Sequence, residues 1–149
     1  MFRDATPADA VALRDLERAA NLASLGHVFP PDRYPYPADD VLARWTLVLQ
    51  EPGARTLVRD GVAAVCHDLG TLRHLVVHPD HWGEGWGRRC VEVAVAAMAA
   101  AGTTHPRLWV LTENHRARGL YEHLGWRPTG VTQESAWPPY PEEQEYQLG

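Results

Sequence analysis

Apolar residues recur at three- and four-residue steps through Val11, Leu13, Leu16, Ala20 and Ala23, which predicts a helix with one buried face running to about Leu25, ended with help from Gly26. Thr6-Pro7-Ala8-Asp9 supplies its start: a capping hydroxyl, a proline in the first turn and an acid three residues after the cap. Phe2 to Ala5 predicts a short strand before it. Val41, Leu42, Trp45, Leu47, Val48 and Leu49 predict a second helix, closed by Pro52-Gly53. The period then drops to two. Thr56 to Arg59 and Val62 to Cys66 read as strands joined by a tight Asp60-Gly61 hairpin, and His67 to Gly70 returns the chain into a third strand. From Gly87 to Ala101 the helical period resumes on Val91, Ala94, Val95 and Met98, with Gly102 as terminator. Arg107 to Leu111 predicts a strand, and Asn114 to Leu124 a short helix on Ala117, Leu120, Tyr121 and Leu124, stopped by Gly125. Trp126 to Val131 and Glu143 to Leu148 predict closing strands around Trp137-Pro138-Pro139-Tyr140-Pro141. Strand, two helices, three strands, helix, strand, helix and two strands make an α/β sandwich with a mixed sheet and an antiparallel meander at its centre.

With 149 residues, no internal repeat and no linker, the chain reads as one domain over 1–149. Lys and Arg number 14 against 19 Asp and Glu, a net charge of −5, which argues against a polyanion-binding face and so against nucleic acid as a partner. Cys66 and Cys90 cannot form a disulfide framework, and the first residues lack the basic start and apolar run of a signal peptide, so the expected compartment is the reducing cytoplasm. The alanine-rich run Val91 to Ala101 falls short of the roughly 20 residues a membrane helix requires, so no membrane partner is expected.

The chemistry concentrates in Leu72 to Cys90, where a buried strand passes through a glycine-rich turn into a helix and so presents free backbone N–H groups to an anion. A nucleotide P-loop would need lysine and then serine or threonine after its last glycine, but Gly87 is followed by Arg88 and Arg89. A dinucleotide fingerprint would need G-x-G-x-x-G in a parallel unit, whereas Gly83, Gly85 and Gly87 alternate and a hairpin precedes them. A third pattern is glutamine or arginine, two residues, glycine, any residue, and glycine or alanine, entered from a strand ending in proline. Through Leu75-Val76-Val77-His78-Pro79 and Trp82-Gly83-Glu84-Gly85-Trp86-Gly87 the chain resembles the GNAT superfamily of acetyl-coenzyme A dependent N-acetyltransferases. The block from Asn114 through Ala117, Leu120-Tyr121 and Leu124-Gly125-Trp126 is similar to a second motif of that superfamily, in the right order downstream. Trp82 departs from the pattern, standing where the family has glutamine or arginine.

The resemblance implies a mixed, mostly antiparallel central sheet of about six to seven strands flanked by about four helices, and acetyl-coenzyme A as co-substrate with no metal. It assigns Leu75, Val76 and Val77 to the amide-bearing arm of the cofactor, and the turn Trp82, Gly83, Glu84, Gly85, Trp86, Gly87 and Arg88, with Asn114, to the rest of it. The glycines let backbone approach a diphosphate, and the helix beneath adds roughly 0.3 to 2 kcal/mol for an anion. The bland alternative is a turn that serves only as a tight strand-to-helix connection.

Acetyl transfer to an amine must reprotonate a thiolate, represented by cysteine at about 8.5, and deprotonate an ammonium, represented by lysine at about 10.4. The resemblance places Tyr121 at the position of the tyrosine that protonates departing coenzyme A sulfur; a core role in a short helix is the alternative. Family members often carry a glutamate on the strand before the turn, but that stretch here offers Thr71, Arg73, His74 and His78 and no carboxylate. His74 is the nearest candidate base, with His67, His78 and Glu113 behind it. His74 and His78 lie roughly 13 Å apart on an extended strand and cannot share one metal ion. The two cysteines read as small packing groups.

Aromatic residues in or near loops, Tyr34, Tyr36, Trp45, Trp137 and Tyr140, fall where the resemblance places the acceptor cleft, with Asp32, Asp39 and Asp40 to attract an amine. Equally, Trp45 fills the core beneath the second helix, and Trp137 with Tyr140 forms a homodimer contact. The expected function is acetyl transfer to a primary amine of a small molecule by direct attack in a ternary complex. The alternatives are an acyl-coenzyme A binding module without chemistry and an acetyltransferase of protein or peptide amines.

Overall fold

Chain reversal at Asp60-Gly61, where Gly61 takes a left-handed φ of 70°, lays β2 (Arg55–Arg59) against β3 (Ala63–His67) with Leu57 opposite Val65. The computed structural model describes residues 1–149. β1 (Arg3–Asp4) pairs with the outer edge of β2, and β4 (Thr71–Val77) continues the antiparallel meander on β3. β5 (Arg107–Leu111) then joins β4 in parallel, but only at Thr71 opposite Arg107 and Leu72 opposite Leu108. Beyond Leu72 the two strands splay, and this gap positions the site. β7 (Glu142–Leu148) lies between β5 and β6 (Trp126–Glu134), giving a seven-stranded sheet in the order β1-β2-β3-β4-β5-β7-β6.

Each face of the sheet buries its own core. α1 (Ala10–Ser24) and α2 (Ala38–Val48) pack Leu13, Leu16, Val41 and Trp45 against Val58, Ala64, Cys66 and Val76. On the other face, α3 (Trp86–Ala100) and α4 (His115–His123) pack Cys90, Ala94, Met98 and Tyr121 against Val65, Leu72, Leu108, Val110 and Tyr146. The strict alternation of β3, Ala64 and Cys66 to one side and Ala63 and Val65 to the other, buries the strand on both faces and makes it the centre of the fold.

The element order, the mixed sheet and the flanking helices follow the sequence reading. Two details differ. The predicted start of the first helix is a single 3-10 turn, Pro7–Asp9, in which Asp9 Oδ2 accepts the Thr6 N–H at 2.7 Å before α1 begins at Ala10. The strand expected to stop at Val131 runs to Glu134, because an irregularity between Pro128 and Thr132, with Gly130 at φ 92°, lets pairing with β7 resume.

Candidate active site

The strand-to-helix turn is built as the glycines require. Gly83 and Gly85 take φ of 81° and 85°, and Gly85 caps α3. A Cβ at either would meet nothing within 4 Å, so their glycine requirement is conformational and the backbone stands open on that side. Gly87 differs: a Cβ there would lie 3.0 Å from a methyl of Leu120, so this glycine lets α3 and α4 approach. Above the turn lies a cleft of about 430 Å³ lined by Trp82, Gly83, Gly85, Gly87, Arg88 and Leu75 through Val77, among others. Glu84 does not line it; its carboxylate accepts hydrogen bonds from His81 Nδ1 and Trp86 Nε1, each at 3.1 Å.

The splay exposes a strand edge beside this cleft. His78 donates its N–H to Val62 O at 2.8 Å, so alternation points the peptide groups of Val76 and His74 toward β3 and those of Leu75 and Val77 toward the gap. Val77 O is already taken by the indole N–H of Trp82 at 3.0 Å. The edge therefore offers the Leu75 peptide and the Val77 N–H to an extended amide-bearing ligand. Asn114 caps α4 by accepting the Ala117 N–H at 3.2 Å, which commits its carbonyl to the helix.

A second cleft of about 510 Å³ opens on the α1/α2 side. The two clefts share Asn21, Leu75, Val76, Asn114, Ala117 and Tyr121, so a ligand lying on the strand edge can present one end to the other chamber. Tyr121 stands at this junction, 6% exposed, packed 6.0 Å from the ring of Trp126. Burial pushes its hydroxyl above the ordinary phenol value, assisted by nearby Cys90, and no protein hydrogen bond tempers the shift. The group is a proton donor at neutral pH and cannot serve as a base.

His74 lines the second cleft, its ring 5.1 Å from that of Trp45. Burial, then the charges of Arg44 and Arg73, lower its pKa from 6.5 to about 3. Neutral imidazole is thereby held ready to accept a hydrogen bond, but as a carrier of a full proton it is weak. His67 is buried in β3, with Nδ1 on the Asp68 carbonyl, and lines neither cleft. His78 accepts the Asp80 N–H at 3.1 Å, and Glu113 contacts His115; neither lines the second cleft.

Of the expected acceptor residues, Tyr34, Tyr36 and Trp137 line the second cleft. Trp45 does not. At 0% exposure it fills the core under α2, because its position on the helix points into the sheet. Tyr140, 54% exposed at a left-handed φ of 60°, also lies outside the cleft, whose wall here is formed by Trp137 and Pro138. Asp40 lines the cleft, while Asp32 and Asp39 do not.

Several residues of this chamber escaped the sequence reading. Trp109 reaches it from β5, opposite in direction to the buried Leu108 and Val110. Glu17 is buried in its wall, accepting a hydrogen bond from the Tyr36 hydroxyl at 3.1 Å and a salt bridge from Arg44. Burial, and then the Glu17 carboxylate, raise the Tyr36 pKa. A signal for Glu17 existed: it sits four residues after Leu13 and three before Ala20, an acid on the apolar stripe of the helix. Arg33, Arg44 and Arg73 face Glu17, Asp40 and Glu143 around the cleft, so its charges balance.

No three His, Cys, Asp or Glu side chains group to hold a metal, and no helix is long and apolar enough to cross a membrane.

Comparison with known proteins agrees with this architecture. The family model of the acetyltransferase (GNAT) family matches residues 13–126. Over 62 residues the chain is 40% identical to mycothiol acetyltransferase of Beutenbergia cavernae; the match covers 42% of this chain but only 21% of that protein. The fold is similar to an acetyltransferase from Thermus thermophilus, with TM-score 0.74 and 21% identity over 99% of this chain and 94% of that one. It is also similar to the PaiA N-acetyltransferase from Thermoplasma acidophilum, solved in complex with coenzyme A, with TM-score 0.74 and 14% identity over 99% and 97% of the two chains.

Proposed function

From the membership of this chain in the GNAT acetyltransferase family, we propose that it moves an acetyl group from acetyl-coenzyme A to the primary amine of a small molecule, by direct attack in a ternary complex. One observation carries the proposal: two clefts meet at the open edge of β4, where Leu75, Val76 and Tyr121 belong to both. Acetyl-coenzyme A supplies the activated acyl group as a thioester. The Leu75 peptide and the Val77 N–H hold the amide-bearing arm, and the backbone of Gly83 to Gly87 with the positive end of α3 receives the diphosphate.

In the second chamber Tyr34, Tyr36, Trp109 and Trp137 wall the acceptor. With three guanidinium groups balancing three carboxylates, the chamber suits a compact monoamine or zwitterion better than a polycation. The amine must attack in its neutral form, which at pH 7 costs roughly 4 to 5 kcal/mol for a lysine-like amine. Handing that proton to an imidazole of pKa about 3 would be steeper still than releasing it to water. His74 is therefore assigned to orient the amine by accepting an N–H hydrogen bond, and the proton leaves through the open chamber. Tyr121 gives its hydroxyl proton to the departing sulfur, a role that its unpaired hydroxyl and its place at the junction of the two clefts support.

Thiol release on a panel of small amines, beside a panel of peptides, tests the proposal. Amine-dependent release with small amines supports it. Binding of coenzyme A without release would leave a binding module, and release only with peptides would move the acceptor to protein.

A further inference from the structure

Arg116, in the first turn of α4, lays its guanidinium on the indole of Trp82, 3.8 Å from the ring centroid. Both side chains line the cleft above the glycine turn. The neighbouring cations are engaged elsewhere. Arg88 pairs with Glu92 at 3.3 Å, Arg89 lies 4.6 Å over the ring of Trp86, and Arg118 donates to Tyr146 and to the Thr112 carbonyl. Arg116 takes part in none of the ion pairs formed by its neighbours; the nearby Glu113 is on His115, and Glu122 is on Arg118 and Tyr146. Stacking holds a guanidinium in place without using its N–H groups, whose edges stay free for a bidentate acceptor.

The ring beneath is itself fixed. Trp82 Nε1 donates to Val77 O at 3.0 Å, tying the platform to the last residue of the exposed strand edge. Trp82 thus converts a strand terminus, a glycine turn and a helix start into one surface carrying a guanidinium that has no ion-pair partner. Both Arg116 and the turn line this cleft, and the Gly83 and Gly85 N–H groups, which donate to no backbone carbonyl, already favour an anion there.

We propose that Arg116, positioned by Trp82, binds a phosphate of the nucleotide half of coenzyme A and makes the enzyme select nucleotide thioesters over bare pantetheine thioesters. Arg116 is the ligand-binding group and Trp82 a positioning residue. The inference rests on coenzyme A being the co-substrate.

Calorimetric titration without acceptor separates the parts, using coenzyme A, 3′-dephospho-coenzyme A and S-acetylpantetheine. Arg116→Gln is expected to weaken coenzyme A by about 10- to 100-fold, the scale of a charge-assisted hydrogen-bond pair, and to leave S-acetylpantetheine within about twofold. If the loss persists with the dephospho compound, Arg116 holds the diphosphate; if it disappears, Arg116 holds the 3′-phosphate. Trp82→Leu, which removes the platform, should reproduce the Arg116→Gln pattern, and Trp82→Phe should retain part of the preference. Equal selectivity in wild type and Arg116→Gln overturns the inference. So does a uniform loss across all three ligands, which would mark damage to α4. Failure of the wild-type protein to bind coenzyme A at all would remove the premise as well, a result distinct from loss of selectivity alone. Arg116 is exposed, so this variant keeps its fold, and a thermal melt alongside verifies that.

Discussion

The imidazole of His74 lies 5.1 Å from the indole of Trp45, centroid to centroid, with the rings tilted by 54°. This contact joins the core under α2 to the wall of the second cleft. Burial of the ring, ahead of the charges of Arg44 and Arg73, lowers its pKa to about 3. The unfolded chain binds a proton at His74 near 6.5, while the folded chain does not until about 3. Folding stability contributed at this site is therefore complete above pH 6.5, declines as pH falls through that window, and levels off below about 3. Replacing His74 with Gln should flatten this part of the pH dependence, measured as melting temperature between about pH 4 and 7. An unchanged slope would refute the buried neutral state.

Tyr121→Phe should lower turnover by about 100-fold or more, the range for loss of a general acid. Coenzyme A affinity and melting temperature should change little, because the hydroxyl has no protein partner to lose. Steady-state kinetics beside a coenzyme A titration reads both. Wild-type turnover would remove the assignment.

The glycines of the turn should respond differently to substitution. Gly85→Val forces a β-branched residue to a φ of 85° and is expected to cost roughly 1 to 3 kcal/mol of stability and most coenzyme A affinity. Gly87→Ala meets only a leucine methyl at 3.0 Å, which can rotate aside, so its effect should be smaller on both counts. Thermal melts and calorimetry rank the two; the reverse order would contradict the conformational account of Gly85.

Glu17 anchors the wall of the second cleft through Tyr36 and Arg44. Glu17→Ala should cost roughly 1 to 3 kcal/mol, less than a fully buried pair because Arg44 remains partly exposed. Freed of its partner, Tyr36 no longer holds one rotamer, so KM for the amine should rise more than KM for acetyl-coenzyme A. Equal changes in both would place Glu17 outside the acceptor chamber.

Much of this protein was readable along the chain. Periodicity separates helices from strands because each element buries one face, and β3 and α3 display that with little interference. The turn was equally legible, since only glycine tolerates φ of 81° and 85° at positions 83 and 85. Trp45 and Tyr140 were harder. Both are aromatic residues in or near polar, proline-rich segments, and only packing distinguishes a ring that faces solvent, a cleft or a core. Glu17 shows the converse: its place on an apolar stripe was visible, but its partners lie 19 and 27 residues away.

By itself the sequence determined the order of elements, the glycine-rich turn before α3 and the place of Tyr121 on α4, because each depends on local backbone geometry and short spacings. Tertiary structure alone decided that β4 and β5 part after Leu72, that Trp82 closes on Val77 and carries Arg116, and that His74 stays neutral. Those outcomes depend on long-range register and on the exclusion of water, and neither is encoded in any short stretch of residues.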